Sequence, residues 1–432
     1  MPPVNAPALA PKVRVVVVGY GAVELTLACL RSLLATTWPN DRIEIVLVDN
    51  ASPGGLASTV REQLPEVAVI ENPTNLGFGA GANVGLRDRT QVDYLAVLNN
   101  DATVSRDWLE PLVEALEANP EPGAASPKIL LASPFVSVTI QSPTHRRGRG
   151  DHRDLGVRLR GVRVDGEDVL ARTKARRGTW GPESDGEWTS QEAELLVPVA
   201  DAGTTQCELL LDSERTKRAV TSSGSARAEF DVDAVPTWFA VPLGGERTDI
   251  VYNAGSELSS DDFGVDRGYL QPDDGRFDLP VDVFAWCGGA ALLRGKYLDD
   301  VGLFDEELFL YYEDLDLSWR GRERGWSYQY VPESVIRHVH AATSVVASPR
   351  TRVLIESNRL LVLTRHASRG RAARAVARFI AATASYAQRD VLSPLLRFRR
   401  PAFQTVVLRS RALIRYCAKL PRFVVRGGRR VR

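Results

Sequence analysis

Residues 13–19 read Val13-Arg-Val-Val-Val-Val-Gly19, and this run decides the fold class. Apart from Arg14 it is β-branched and apolar without alternation, the mark of a strand covered on both faces. From Ala22 to Ala35 the apolar side chains Val23, Leu27, Leu30 and Leu34 fall at helical spacing. Ile43 to Val48 predicts a second buried strand, ending at Asp49. Beyond it the pattern predicts a short helix over 55–64, a strand over 67–70, a helix over 79–89 and a strand over 94–98. Ser105 is the expected N-cap of a helix running to about Ala118. Strands alternating with helices imply an α/β fold with a mostly parallel, Rossmann-like sheet. Ligands of such sheets bind beyond the carboxyl ends of the strands. Asp49-Asn50, Asn72 to Asn75 and Asn99-Asn100-Asp101 are therefore the polar residues to follow.

Near residue 145 helical periodicity stops. Short alternating runs such as Val157-Arg-Leu-Arg and Glu208-Leu-Leu-Leu-Asp, separated by Gly, Ser, Asp and Pro, predict an inserted β-sandwich-like domain over 146–248. The α/β texture returns over 249–348, with a helix expected over 309–324 and a short strand over 328–331. Residues 349–432 read as helical and basic, and residues 1–12 as a disordered leader. The expected organisation is thus a first half over 13–145, the insertion, a second half over 249–348 and a C-terminal region.

Lys+Arg and Asp+Glu both number 54, so the formal net charge is zero. The C-terminal 44 residues, Arg389 to Arg432, hold thirteen basic residues and one acidic residue, which leaves 41 basic against 53 acidic elsewhere. A neutral chain with a cationic end can apply that end to an anionic surface. Cys29, Cys207, Cys287 and Cys417 are far apart and form neither a metal knuckle nor a disulfide framework. No uncharged apolar run is long enough to span a bilayer. The expected location is cytoplasmic, on the inner face of the plasma membrane if a membrane is involved.

Gly19-Tyr20-Gly21 after a strand invites a dinucleotide site, but Glu24 stands where GxGxxG needs its third glycine. Asp49 at a strand end can accept from ribose hydroxyls or a base N–H; a turn or helix cap is the structural alternative. Asp101, directly after a buried strand, suits a hard divalent cation, or an Asx turn. Asn75-Leu-Gly-Phe-Gly-Ala-Gly-Ala-Asn83 opens a helix with glycines, for anion approach or for tight packing. Tyr311-Tyr-Glu-Asp-Leu-Asp-Leu-Ser-Trp-Arg320 sets three acids within four positions among aromatics, which can raise a carboxylate toward a useful base. A solvated acidic helix start is its alternative. His338 and His340 share a face if extended, and either can be a metal ligand or a structural histidine.

Taken in order, these segments resemble the GT-A-fold family 2 glycosyltransferases, particularly the rhamnosyltransferase-like branch of bacterial cell-wall and polysaccharide assembly. The matching stretches are Val46-Leu-Val-Asp-Asn-Ala-Ser52, Asn75-Leu-Gly-Phe-Gly79 with Asn83, Leu98-Asn-Asn-Asp101, Gly288-Gly-Ala-Ala-Leu-Leu-Arg294, Phe304-Asp-Glu, Phe309 to Arg320, His338 and Asn358-Arg359. They cover about residues 12–143 and 250–366. The resemblance implies Asp314 as general base with Glu313 beside it. It implies Asp101 and His338 at a divalent cation, Mg2+ or Mn2+, with Asn99 where the family's DxD motif has its first acid. It further implies a nucleoside-diphosphate-sugar donor site of Gly19, Tyr20, Asp49, Asn50, Asn75, Gly77, Asn83, Asn99, Asn100, Trp286, Gly288 and Gly289. The implied reaction is inverting transfer from a dTDP-rhamnose or UDP-sugar donor to a glycan or lipid-linked acceptor. A non-catalytic glycan-binding scaffold is the alternative. Leu395-Leu-Arg-Phe-Arg-Arg400 and Leu413-Ile-Arg-Tyr416 mix apolar and cationic residues, as segments at membrane interfaces do, and no nucleic-acid fold accompanies them.

Overall fold

A computed structural model describes residues 10–148, 151–183, 185–200, 206–339, 348–398 and 400–428. His340 and the first nine residues of the expected leader lie outside the described residues. The chain divides into two compact units: residues 1–129, 253–267 and 277–432 in one, residues 130–252 and 268–276 in the other.

The first unit opens with β1 (Val13–Gly19), α1 (Val23–Leu34), β2 (Ile43–Asp49), α2 (Leu56–Gln63), β3 (Ala68–Glu71), α3 (Phe78–Leu86) and β4 (Tyr94–Asn99). β5 (Ala102–Val104), α4 (Leu109–Ala118) and β6 (Pro122–Leu131) follow. The sheet runs in the order β6, Ala290–Arg294, β4, β1, β2, β3. β1 pairs in parallel with β2 and β4; the strand Ala290–Arg294 runs antiparallel to β4. Val13, Val15, Val16 and Val17 are fully buried, as a central strand covered on both faces requires. Glycines let α3 lie close on β1: a Cβ at Gly85 would stand 2.7 Å from Val16, and one at Gly81 3.0 Å from Val18. Register places Gly19 beside Asp49 and Val18 beside Asn99, so the carboxyl ends of β1, β2 and β4 lie level.

Two local expectations fail for identifiable reasons. Ser105 is not an N-cap; α4 begins at Leu109 behind Trp108. The Ser105 N–H is bonded to the Val335 carbonyl, because β5 pairs with the long strand Ser327–His338 and extended backbone continues through residue 105. The helix expected from residue 309 starts at Glu313, since Phe309, Tyr311 and Tyr312 adopt φ of +23°, +68° and +72°.

After α5 (Gly295–Val301) and α6 (Glu313–Arg322) come α7 (Pro349–His366), α8 (Arg369–Ala387), α9 (Ser393–Leu396) and α10 (Gln404–Gly428). Leu360, Leu361 and Leu363 of α7, Phe379 of α8 and Tyr416 and Phe423 of α10 form one core with Leu308 and Leu315. The C-terminal helices are therefore packed onto the segment that carries α6. Asp316, fully buried on α6, is the polar tie: it meets Arg320 at 2.9 Å, Arg365 at 2.8 Å and His366 at 3.0 Å. No helix among the described residues is long and apolar enough to cross a membrane.

In the second unit the strands join one antiparallel sheet whose path runs from Ala226–Val232 at one end to Thr237–Val241 at the other. Phe230 and Phe239, from those two end strands, bring their rings to 4.8 Å, so the sheet rolls up on itself. Val138, Ile140, Val162, Leu195, Leu209 and Val241 belong to the core inside it, and Leu131, Phe135, Leu196 and Ile250 form a second cluster. The sandwich-like packing is thus made by one continuous sheet, and this unit begins at Leu130, ahead of the expected insertion point.

Candidate active site

Three chain segments of the first unit meet at the carboxyl end of β4. Asn99 closes that strand, and its N–H is bonded to the Gly289 carbonyl at 3.0 Å. The preceding residue, Gly288, donates its N–H to Asp314 Oδ2 at 2.8 Å. Two consecutive glycines therefore join the strand end to the start of α6. A Cβ at Gly288 would stand 3.1 Å from that carboxylate oxygen, so the close approach uses the missing side chain. The long strand ending at His338 completes the group: His338 pairs with Ala102, and its Nε2 lies 2.8 Å from Asp101 Oδ1 and 3.2 Å from the Asn99 amide. Asp101 and His338 are both buried.

Burial is the main influence on the two acids that open α6. The half-buried Asp314 carboxyl is raised above its ordinary value by burial, against the pull of the Gly288 and Leu315 N–H groups. Glu313 is pushed well above the carboxylate range, first by burial and then by the charge of Asp314. Its Oε2 is buried without a hydrogen-bond partner. Asp316, the third acid of the motif, behaves oppositely. Burial would raise it, but Arg320, His366 and Arg365 more than offset this and hold it far below the carboxylate range. It is a structural anchor, and only the first two acids are candidates for chemistry.

Sequence reasoning missed Asp266. It ends the hairpin Ser256–Leu258/Gly264–Asp266, and Asn253 Nδ2 donates to its Oδ1 at 2.6 Å. Burial pushes its carboxyl up to about 6; Asn253 opposes this, while the charge of Asp314 adds to it and His338 again opposes. Nothing in the local sequence marks this residue, because its relation to α6 is made by packing: Gly264 lies against Leu315 and Tyr312.

The expected donor residues divide. Gly19 ends β1 level with the other strand ends, and Tyr20, which follows it, is exposed. Asp49 accepts from Ser52 N–H at 2.9 Å and Ala57 N–H at 3.2 Å, which realises the capping alternative on both carboxylate oxygens. Asn50 is a hub for the loop before α3: its amide donates to Asn75 Oδ1 and the Gly77 carbonyl and accepts from Asn72 and the Leu76 N–H. Asn83 holds both backbone groups of Phe304. Asn100 donates to Thr26 Oγ1 at 2.8 Å. Trp286 is fully buried with its ring edge-on to Phe304. Gly77 has φ +84°, and a Cβ there would stand 2.0 Å from the Phe309 carbonyl oxygen. Asn50, Asn75, Asn83 and Asn100 are thus engaged in bonds within the protein, and Trp286 in packing against Phe304. Asn99, Asp101, Gly288, Asp314 and His338 are brought together, with Gly289 the bridging peptide.

A cation here would have one carboxylate, one imidazole nitrogen and one amide from the protein. Among the described residues there is no group of three His, Cys, Asp or Glu side chains able to hold a metal alone. The Asp101 carboxylate oxygens suit a hard cation such as Mg2+ or Mn2+, and with His338 and Asn99 they would need further ligands to complete its coordination.

Residues 14–132 match the family described as Glycosyl transferase family 2. Over 90 residues the chain is 36% identical to the N-acetylglucosaminyl-diphospho-decaprenol L-rhamnosyltransferase of two Mycobacterium tuberculosis strains. That match takes in 20% of this chain and 29% of the relative's length. Among solved structures the chain is similar to GalNAc-T7 with UDP, GalNAc and Mn2+, at TM-score 0.43 and 14% identity, over 82% of this chain and 48% of that one. It is also similar to the mannosyltransferase PcManGT from Pyrobaculum calidifontis in complex with GDP-Man and Mn2+, at TM-score 0.42 and 15% identity, over 96% of this chain and 88% of that one. The level strand ends, the Asp101–His338 pair and the acids at the start of α6 stand at one edge of a mixed α/β sheet, and residues 14–132 of that unit are similar to glycosyl transferase family 2.

Proposed function

We propose that the protein is an inverting glycosyltransferase that moves a sugar from a nucleoside-diphosphate donor, dTDP-rhamnose or a UDP-sugar, to a glycan or lipid-linked acceptor. The observation that carries this reading is the Asp314 carboxylate. It is half-buried, raised by burial, and joined through Gly288-Gly289 to the strand end that carries Asp101. In the proposed reaction Asp314 takes the proton from an acceptor hydroxyl. The hydroxyl oxygen forms its bond to the anomeric carbon as the bond to the nucleoside diphosphate breaks, and one displacement inverts that carbon. Asp101 and His338, with Asn99, would hold a divalent cation, which supplies charge stabilisation for the leaving diphosphate. Tyr20, exposed beyond the end of β1, would face the nucleoside, with Asp49 setting the neighbouring loop through its bonds to Ser52 and Ala57.

The acceptor side rests on the C-terminal region. Leu392, Leu395, Leu396, Phe398 and Phe403 are all at least half exposed, and Phe398 is completely so. Arg397 and Arg400 stand among them, also exposed. Apolar side chains pointing outward beside arginines suit an anionic lipid surface, where a lipid-linked acceptor would be presented. Not every cation of the tail is available for that purpose: Arg415 and Lys419 bond inward to Glu307.

Two experiments test these parts separately. Donor turnover with a panel of dTDP- and UDP-sugars in Mn2+ should be abolished by Asp314→Asn; an Asp314→Asn variant that turns over as fast as wild type sinks the base assignment. Vesicles of phosphatidylglycerol and phosphatidylcholine should sediment the protein in a salt-sensitive way, and the double change Leu396→Ser, Phe398→Ser should weaken this about tenfold or more. Sedimentation that neither charge nor these residues affect would contradict the membrane assignment.

A further inference from the structure

Phe309, Tyr311 and Tyr312 all have positive φ within four residues, immediately before Glu313 and Asp314. Such backbone is strained and persists only where its surroundings over-determine it. Two contacts do so here. From one side the Phe78 N–H, at the start of α3, donates to the Phe309 carbonyl at 2.8 Å. From the other, the Asn358 side chain of α7, fully buried, points its amide nitrogen at three carbonyls of the loop: Leu308 at 3.2 Å, Leu310 at 2.9 Å and Tyr311 at 2.8 Å. An amide could face either way, but its orientation is fixed from α10. Arg415 donates to Asn358 Oδ1 at 2.6 Å and to Ser357 Oγ at 2.7 Å, and so turns the nitrogen toward the loop. Lys419 adds a bond to the Glu307 carbonyl at 2.7 Å.

We infer that Asn358 is a positioning residue for Asp314, with Arg415 of the C-terminal helix as its orienting partner; this rests on reading Asp314 as the base. Asn358 bonds the carbonyls of Leu308, Leu310 and Tyr311 rather than the acids themselves, and it acts by setting the loop whose end delivers the carboxylate. The strain in residues 309–312 makes the clamp necessary: released from Asn358, the loop relaxes toward ordinary φ and the start of α6 moves with it. Misplacement of a reacting group by about 1 Å costs on the order of 100-fold in rate.

The test uses the full chain with Asn358→Asp, which keeps shape and replaces the donor by an acceptor, and Arg415→Met, which leaves Asn358 intact but unoriented. Hydrogen exchange of the amides in 308–315 should quicken about tenfold or more in both variants while β1 and β4 keep their protection. With the donor that wild type turns over, kcat should fall about 100-fold for Asn358→Asp, with KM within about threefold of wild type. Unchanged exchange in both variants overturns the clamp. So does a fall in donor affinity as large as the fall in kcat, which would mark a purely structural role. The base assignment fails by a different result, wild-type turnover in Asp314→Asn, so the two ideas are separable.

Discussion

Replacing Asp316 by Asn should destabilise the first unit by about 3 kcal/mol while leaving the two acids before it in place. The carboxylate is fully buried and compensates Arg320, Arg365 and His366, whose side chains are 11%, 7% and 1% exposed. Removing one partner of a buried ion pair typically costs about 3–5 kcal/mol, because the other charge is stranded. The low end applies because each cation keeps something: Arg365 keeps Asp305 at 2.7 Å, Arg320 keeps the Val301 and Leu303 carbonyls, and His366 keeps Glu323 at 2.8 Å. In urea this should lower the unfolding midpoint of that unit by about 1 M, taking a slope near 3 kcal/mol/M. The pH dependence has two limbs. Burial would lower the His366 pKa from 6.5, but Asp316 and Glu323 more than offset it and raise it. Its stabilising share is complete below 6.5 and is lost as pH rises through the higher folded value. Asp316 is lowered from 3.8, so its share is present above that value and is lost as pH falls through the folded one. In Asp316→Asn the alkaline loss should shrink. A midpoint within about 0.3 M of wild type, or an unchanged alkaline limb, would refute the anchoring role.

Other outcomes follow from single contacts. Asp266→Asn should stabilise the fold by about 1–2 kcal/mol at pH 7.5, since a carboxyl raised to about 6 is held ionised there at a cost, discounted for its partial solvent contact; the gain should vanish below pH 3.8, and destabilisation at pH 7.5 would contradict it. Gly77→Ala should cost about 3 kcal/mol or more, combining a φ of +84° with a Cβ 2.0 Å from the Phe309 oxygen, and equilibrium unfolding within 1 kcal/mol of wild type would count against it. Alkylation of the folded protein should label Cys417, which is exposed, and spare the buried Cys29, Cys207 and Cys287; mass spectrometry of the adducts decides this.

The parallel half of the sheet was legible because period is a local property: the uninterrupted valines of β1 and the helical spacing of α1 need no tertiary context. Strand-end acids and asparagines were legible as a set, but their division of labour was not. Asn50 and Asn83 look like ligand residues in sequence and serve as hydrogen-bond hubs, since both roles use the same buried amide. Ser105 has the chemistry of a cap but was taken by strand pairing formed with residues more than two hundred positions away. The three acids 313, 314 and 316 could not be ranked without knowing that Arg365 and His366 arrive from α7. Asp266 carries no local motif at all. The cationic tail was visible as a charge bias, yet the inward turn of Arg415 depends on where α10 packs.

The most direct test of the central claim is calorimetric titration of the protein with UDP, dTDP and GDP, with and without Mn2+, on wild type, Asp101→Ala and Asp314→Asn. One nucleoside diphosphate should bind in a metal-dependent way, lose that binding in Asp101→Ala and retain it in Asp314→Asn. Absence of binding by all three nucleotides under every condition would contradict the assignment of this site to a nucleotide-sugar donor and favour a glycan-binding scaffold.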